Sequence, residues 1–312
     1  MVKLDPNTMP PSVTIILVSW NTRDLLRWAL RSVRDHAAMP VHMVVVDNAS
    51  SDGSPEMVRA EFPEATLIVN PDNRGFGQAN NQGFAASDEP LVLLLNSDAE
   101  LTPGALPALV GEMDRYPNAG VVGARLVFPN GRFQASFADF PTLGRELLAL
   151  AGLSRLLFGP TYPSYAEAAS GEPRAVDWVG GACMLLRREA VTATGGFDPG
   201  YHLYSEEMDL CRRIRQAGFT VRYQPSAVAV HHGGQSSTQR SLEQPRLLWE
   251  SRLRYYRLHR PTWEARLLRS CIRLAYLLRG GLWRLRAMAA PPAEAPRWRQ
   301  LAAAARSLRT NL

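Results

Sequence analysis

Short apolar runs alternate with amphipathic segments over the first hundred residues. The runs are VTIILVSW (13–20), VHMVVVD (41–47), TLIV (66–69) and LVLLL (91–95). After the first run, Leu26, Leu30 and Val33 share one face of a helix, and a further helix is predicted over 78–86. Strands and helices at this spacing predict βαβ units and an α/β fold with a mostly parallel sheet flanked by helices.

Polar clusters follow three of these strands. They are Asp47-Asn48, Asn73-Arg74-Gly75 and Asn96-Ser97-Asp98. In open parallel sheets, ligands bind outside the carboxyl ends of the strands. We therefore expect the three clusters to meet at one ligand-binding edge.

The pattern is mixed beyond residue 102. Helices are predicted near 104–115 and 206–217, and strands near 121–128, 183–186, 219–223 and 226–231. The stretch 141–174 is interrupted by Pro, Gly and Tyr, so it is predicted to be an insertion or a mobile loop, and loops of that length are usually functional lids or disordered.

Composition places the chain among ordinary globular proteins. Of 312 residues, 46% are hydrophobic and 21% are charged, which argues against a disordered, collagen-like or coiled-coil chain. The three cysteines show no CxxC spacing, and a reducing, cytoplasmic setting is expected. Because no apolar run reaches about 18 residues and the N-terminus lacks a hydrophobic region, we expect neither a spanning helix nor a signal peptide.

Positive charge is concentrated at the C-terminus. The net charge is +6, yet residues 245–312 contain 15 Arg and only 3 Glu. Arg266, Arg269 and Arg273 share one face of a predicted helix whose remaining surface is largely apolar, with a break expected at Gly280-Gly281. This pattern is typical of a helix lying on an anionic membrane. A helix packed on the catalytic domain or across a homodimer explains it equally well, whereas nucleic acid would leave the apolar face exposed.

Two of the polar clusters also have a purely structural explanation. Asn, Ser and Asp at 96–98 favour a turn after a strand, although Asp98 could also hold a divalent cation. Asp47 suits a helix-capping turn, or it could accept a hydrogen bond from the imide N–H of uracil or thymine.

Two acids, Glu206 and Glu207, open the predicted helix over 206–217. Acids in a first turn stabilise the helix dipole. Adjacent carboxylates also raise one another's pKa, which makes a candidate general base. His231-His232 matter only if they partner a carboxylate site, because a histidine by itself is more often structural.

Taken together, the motifs resemble those of one family. They are VSWN, VVVDNASSDGS, NRGFGQANNQG, LLLNSDAEL, WVGGACMLLRREA, GGFDPGYHLYSEEMDLCRRIRQAGF and PSAVAVHHGGQSS, in this order. The chain resembles family 2 glycosyltransferases of the GT-A fold, most of all bacterial rhamnosyltransferases of cell-surface polysaccharide assembly. The resemblance covers 12–240 and implies a nucleotide-binding half (12–100), an acceptor-binding half (101–240) and, beyond them, an Arg-rich helical tail (245–312).

The resemblance also implies roles for single residues. Glu207 matches the catalytic base, with Glu206 as a competitor, and Asp98 and His231 match ligands of Mg²⁺ or Mn²⁺. Asn96 stands where the family's metal motif has its first acid, so a single carboxylate remains there. The implied donor-binding residues are Val18, Ser19, Trp20, Asn21, Asp47, Asn48, Asn73, Arg74, Gly75, Asn80, Asn96 and Ser97. The implied acceptor-binding residues are Trp178, Gly180 and Gly181.

The implied reaction is an inverting transfer from a nucleotide-diphosphate sugar, best matched by dTDP-rhamnose, to a glycan or polyprenyl-linked acceptor. The enzyme would be cytoplasmic, or peripheral on the inner face of the membrane. A UDP-hexose donor and a non-catalytic nucleotide-sugar-binding subunit stay open as alternatives. A nucleotidyltransferase is disfavoured, because VSWNTRDLL lacks a phosphate-binding loop rich in Gly, Lys and Arg.

Overall fold

The apolar runs 13–20, 41–47 and 91–95 form strands whose side chains are largely buried on both faces of a sheet, which suits Val, Ile and Leu, whereas the strand at 66–69 is only partly buried. The structure is a computed structural model that describes residues 13–158, 171–233 and 244–312. The first elements are β1 (Val13–Ser19), α1 (Arg23–His36), β2 (Val41–Asp47), α2 (Ser54–Glu61), β3 (Thr66–Val69), α3 (Gly75–Ala85), β4 (Leu91–Leu95), β5 (Ala99–Leu101), α4 (Ala105–Arg115) and β6 (Ala119–Val127).

The later elements are shorter up to residue 194 and mostly helical at the end. They are β7 (Phe137–Ala138), α5 (Leu143–Leu150), α6 (Ser154–Phe158), β8 (Arg174–Val176), β9 (Trp178–Val179), β10 (Cys183–Arg187), α7 (Arg188–Thr194), α8 (Glu206–Gln216), β11 (Thr220–His231), α9 (Gln244–His259), α10 (Thr262–Ala289) and α11 (Ala295–Asn311).

A central sheet of order β3-β2-β1-β4-β10-β6-β11-β5 organises the fold, with β8 added beside β11. The strands predicted over the first hundred residues, β3, β2, β1 and β4, are mutually parallel. β10 runs antiparallel to β4 and β6, while β11 is parallel to β6 and antiparallel to β5. The predicted α/β architecture with a helical C-terminal extension is confirmed.

Two apolar cores lie on opposite faces of this sheet. One packs residues of α1, α2 and α4, such as Leu30, Met57 and Leu109, against one face. The other packs residues of α3 and α8, such as Phe84 and Ile214, against the opposite face. The sheet edge at the carboxyl ends of β1, β2 and β4 is thereby left for polar loops.

Three expectations from the sequence are corrected. The stretch 141–174 is not one long loop, because it contains the helices α5 and α6 and ends where β8 begins, while 159–170 lie outside the described residues. Thr142 caps α5 through its side chain, a local signal hidden among the prolines and glycines. The strands predicted at 219–223 and 226–231 are one strand, β11, with an irregularity between Gln224 and Val228.

The helix break expected at Gly280-Gly281 does not occur. α10 continues through both glycines to Ala289. A Cβ added at Gly280 would lie 3.4 Å from the Cβ of Ala305 in α11, so the missing side chain gives room for a close helix crossing.

The described chain divides into two compact units. The first contains the central sheet with α1–α4, α7 and α8. The second contains α5, α6 and α9–α11, and Glu146 of α5 pairs there with Arg252 of α9 at 3.3 Å. That the catalytic domain ends at residue 240 stays a prediction.

Over residues 13–158, 171–233 and 244–312, no helix combines the length and apolar character needed to cross a bilayer.

Candidate active site

Three of the predicted clusters lie at one edge of the sheet. Ser19 at the end of β1 is in register with Asp47 at the end of β2. Leu95 at the end of β4 pairs with Cys183 at the start of the antiparallel β10, so Gly180 and Gly181 reach the same edge. This is where parallel strands present ligand-binding loops.

Asp47 is buried, with one carboxylate oxygen held and the other unused. Its Oδ1 accepts a hydrogen bond from the Ser50 backbone N–H at 2.9 Å, whereas its Oδ2 has no hydrogen-bond partner among the described residues. Burial raises the pKa of Asp47, and the hydrogen bonds from Ser50 oppose that rise. A buried, unpartnered acceptor is costly by itself and is suited to a ligand N–H.

A network of side-chain amides surrounds this acid. The Asn48 Nδ2 donates to the Gly75 carbonyl at 3.2 Å, and its Oδ1 accepts from Asn70 at 2.9 Å. Asn70 in turn pairs with Gln82 of α3. The network joins the loops after β2 and β3 to α3.

The loop before α3 depends on Gly75. Asn73 accepts the Gly75 N–H at 2.9 Å, and Gly75 has φ +79°, a conformation that favours glycine. A Cβ there would lie 2.5 Å from the His202 carbonyl oxygen. Arg74 is exposed beside Asp72, and the Asn80 amide donates within α3 to the Phe76 carbonyl, so the donor-binding roles of both residues stay predictions.

The turn after β1 is tied to both neighbouring loops. The Asn21 side chain accepts the Ser51 N–H at 2.8 Å, and Asn21 itself has φ +51°. Thr22 donates to Ser97 at 2.9 Å and lies 3.1 Å from Ser19. Val18 and Trp20 are half-buried beside this turn.

Asp98 and His231 meet although they are far apart in the chain. β5 pairs with the end of β11, where Ala99 is opposite His231. Asp98 Oδ1 lies 3.2 Å from His231 Nε2, and the Asn96 amide nitrogen lies 3.4 Å from the same ring nitrogen. Gln134 Oε1 contacts the other ring nitrogen at 2.7 Å and so orients the imidazole.

Asp98 and His231 could together hold a divalent cation, because a carboxylate oxygen and an imidazole nitrogen are both metal ligands. One carboxylate oxygen and one imidazole nitrogen face each other, and the ring is fixed from behind by Gln134. In the part of the chain that is described, no group of three or more His, Cys, Asp or Glu forms a metal site. The described residues would therefore supply two ligands to such a cation.

Glu206 and Glu207 begin α8 in different surroundings. Glu206 is buried, and no residue in the described part of the chain forms a hydrogen bond with its Oε2. Burial, and then the neighbouring Glu207 carboxylate, raise the pKa of Glu206 well above its usual value. Glu207 is only partly buried, so it is the more accessible acid.

Gly181 lies beside Glu207. A Cβ added to Gly181 would be 3.7 Å from the Glu207 Cβ and 3.3 Å from the Phe76 ring. Gly180 donates its N–H to the Ser136 carbonyl at 2.8 Å, and the Trp178 indole N–H donates to the Asp139 carbonyl at 3.0 Å. The Trp178 ring is thus anchored and half-exposed.

Sequence reasoning missed several residues of this site. Asn70 follows β3 at the same edge, so the rule that selected Asn48 could have found it. Gln134 and Gln82 carried no such signal, because only the fold brings them to His231 and Asn70.

Comparisons with known proteins identify the family of the chain. The family model described as "Glycosyl transferase family 2" matches residues 14–192. An N-acetylglucosaminyl-diphospho-decaprenol L-rhamnosyltransferase of Mycobacterium tuberculosis is 31% identical over 247 residues, which make up 73% of this chain and 78% of the relative. The rhamnosyltransferase WbbL of Escherichia coli K12 is 27% identical over 168 residues, 51% of this chain and 61% of WbbL.

A solved structure with the same fold is the mannosyltransferase PcManGT of Pyrobaculum calidifontis, bound to GDP-Man and Mn²⁺. It aligns with a TM-score of 0.52 at 18% identity, over 96% of this chain and 87% of that one. The GT-A fold predicted for the sequence is thereby confirmed.

Proposed function

This chain belongs to glycosyl transferase family 2, and from that premise we propose that it transfers L-rhamnose from dTDP-rhamnose to a hydroxyl of a polyprenyl-linked glycan. The observation that carries the proposal is the 31% identity with a rhamnosyltransferase of which 78% is matched. That relative's name specifies a sugar linked through diphosphate to decaprenol as its acceptor, which supports an acceptor of the same class here.

The nucleobase would bind at Asp47. The unpartnered Oδ2 of this acid is placed to accept one N–H, as the imide of thymine or uracil offers. Asn48, Asn73 and Gly75 belong to the network that holds the adjoining loops in position. The nucleobase would thus donate the hydrogen bond that Asp47 Oδ2 lacks.

Asp98 and His231 would hold Mg²⁺ or Mn²⁺ together with the donor diphosphate. When bound there, the ion supplies positive charge beside the leaving group. Asn96, which replaces an acid at this point, contributes an amide close to His231.

Glu207 would act as the general base. The acceptor oxygen forms a bond to the anomeric carbon while the bond from that carbon to the diphosphate breaks, and the hydroxyl proton passes to the Glu207 carboxylate. Inversion follows from this single displacement. Partial exposure of Glu207 supports its role over Glu206, whose raised pKa favours the protonated acid.

The nucleotide is tested by thermal shift with dTDP, UDP, GDP and CMP, each with and without Mn²⁺. A ligand at 100 times its dissociation constant stabilises by about 2.7 kcal/mol, which moves the midpoint by several degrees. We expect the largest shift with dTDP, its loss in Asp47→Asn, and its retention in the exposed control Asp114→Asn. A larger shift with UDP would assign a UDP-sugar as the donor, and the proposed type of reaction would stand.

The reaction is tested by release of dTDP from dTDP-rhamnose in the presence of a polyprenyl-diphosphate-linked amino sugar. Glu207→Gln should lose about 10²–10⁴-fold in turnover while nucleotide binding survives, whereas Glu206→Gln should lose less. The opposite ranking would assign the base to Glu206. Nucleotide binding by the wild type without any sugar transfer would favour the non-catalytic binding subunit.

A further inference from the structure

Helix α10 presents two different apolar faces. On one face Leu268, Ile272, Tyr276 and Gly280 recur every four residues and are buried within the second unit. The Tyr276 hydroxyl accepts a hydrogen bond from the Trp249 indole at 3.2 Å on this side. Packing within the unit accounts for this buried face.

The opposite face is apolar and exposed. Leu267, Leu274, Leu278 and Leu285 are spaced by seven, four and seven residues, which places them on one side of a helix with about 3.6 residues per turn. This exposed face of α10 consists of Leu267, Leu274, Leu277, Leu278, Leu282, Leu285 and Met288, which are between 42% and 83% exposed. So many large apolar side chains on one exposed helix indicate an interaction surface.

Arginines border this face. Arg266, Arg273 and Arg284 are exposed along one side of it. Residues 261–312 contain ten arginines and only two acids, Glu264 and Glu294. Glu264 is bound by Arg260 at 2.8 Å, so it does not neutralise the arginines along the face.

A groove between α10 and α11 adds a second feature. It has a volume of about 1050 Å³ and is lined by Arg284, Arg299 and Arg306 together with Met288, Ser307 and Thr310. Within the described part of the chain, none of these three arginines pairs with a carboxylate. Guanidinium groups and hydroxyls of this kind bind phosphate.

We propose that the exposed face of α10 and the adjoining arginine-lined groove dock on an anionic phospholipid bilayer. The leucines would enter the boundary between headgroups and acyl chains, and the groove would take lipid phosphate groups. This surface is independent of sugar transfer and goes beyond the proposed function.

Charge favours a bilayer over a second copy of the chain. If two copies met through this face, the arginines along its borders would approach one another without acids to neutralise them. Nucleic acid would neutralise the arginines but leave the leucines in water. An anionic bilayer satisfies both sets of side chains.

The test is flotation of the full chain with vesicles of phosphatidylcholine alone or mixed with phosphatidylglycerol. Binding should require phosphatidylglycerol and weaken as salt rises. Arg284→Gln/Arg299→Gln/Arg306→Gln should lower the partition coefficient by about 100-fold, and Leu278→Gln/Leu285→Gln by about ten-fold.

Two control variants test whether vesicle binding depends on this surface or on any exposed arginine or leucine of the chain. Arg59→Gln/Arg115→Gln/Arg132→Gln removes three exposed arginines from the first unit, and Leu157→Gln/Leu258→Gln changes two similarly exposed leucines on α6 and α9. Both controls should bind vesicles within about two-fold of wild type.

Three results would each overturn the proposal. The first is equal binding by all variants, and the second is no binding of the wild type to anionic vesicles. The third is a dimer that Leu278→Gln/Leu285→Gln dissociates, without any vesicle binding. Nucleotide binding, measured in parallel, stays unaffected whichever result is obtained.

Discussion

Two buried carboxyl groups of the first unit, Asp47 and Glu206, each have one oxygen that forms no hydrogen bond with residues 13–158, 171–233 or 244–312. Burial raises the pKa of both, because the charged form loses its hydration. The two acids differ in what would offset the free-energy cost of their burial. Asp47 faces the loops of the proposed nucleotide site, whereas Glu206 is favoured in its protonated form by burial and by Glu207.

The raised pKa of Glu206 predicts a pH-dependent stability. The folded state holds this proton more tightly than the unfolded state, so the contribution of Glu206 is fully present below the ordinary pKa of a glutamate, about 4.3, and is lost as pH rises through the folded-state pKa. Glu206→Gln removes the titration. We expect its unfolding midpoint, relative to wild type, to be higher at pH 8 than at pH 5.

Thermal unfolding across that pH range checks this expectation. The exposed Glu189→Gln serves as a control, and its difference from wild type should stay constant with pH. A constant difference for Glu206→Gln as well would mean that Glu206 does not titrate differently on folding.

Single residues of the candidate site could be selected from the sequence where a strand end identified them. Asp47, Asn48, Ser97 and Asp98 follow strands whose apolar pattern is unambiguous. The environments of Glu206 and Glu207 could not be predicted, because adjacent residues on a helix point in different directions and only packing determines which one is buried.

At the level of elements, α3 shows how a helix can require glycine. A Cβ added to Gly83 would lie 2.6 Å from the Ile16 Cγ2 on β1, so the helix packs directly against the strand at this residue. Nothing lies within 4 Å of a Cβ added to Gly111 of α4. The two glycines occupy similar helical positions in different packing environments.

Alanine substitutions at these glycines should therefore have opposite effects. Gly111→Ala should stabilise the chain by up to about 1 kcal/mol, because alanine is the better helix former. Gly83→Ala should destabilise it by about 1–2 kcal/mol, since the steric clash with Ile16 outweighs that gain. Urea unfolding of both variants measures the difference, and stabilisation by Gly83→Ala would show that α3 can move away from β1 at little cost.

Element boundaries were predicted best where periodicity was strong. The predicted strand 41–47 and helix 104–115 agree with β2 and α4 to within a residue. Two glycines in sequence suggested a break that does not occur, because close packing of Gly280 against α11 compensates its low helix propensity.

At the level of the whole molecule, sheet order assembles the Asp98–His231 pair. β5 follows Asp98 directly and pairs with the last residues of β11, which brings two distant segments to 3.2 Å. Gln134, in a third segment of the chain, contacts the His231 imidazole and orients it. Neither arrangement follows from distance along the chain.

A shared cation at this pair predicts non-additive mutations. Asp98→Ala and His231→Ala should each remove most of the Mn²⁺-dependent part of the dTDP thermal shift, and the double variant should lose little more, because both residues would hold one ion. His232→Ala is the control, since this neighbour contacts Glu100 at 2.7 Å instead. Additive losses, or equal loss in His232→Ala, would remove Asp98 and His231 from a common metal site.

The sequence by itself determined the alternation of strands and helices, the polar loops after β2, β3 and β4, and the charge of the last helices, because each depends on residues close together in the chain. The tertiary structure alone decided that Glu206 is buried while Glu207 is accessible, that Asp98 meets His231, and that one face of α10 is exposed. Those outcomes depend on which distant surfaces pack together, and the free energy of that packing is not encoded in any local pattern.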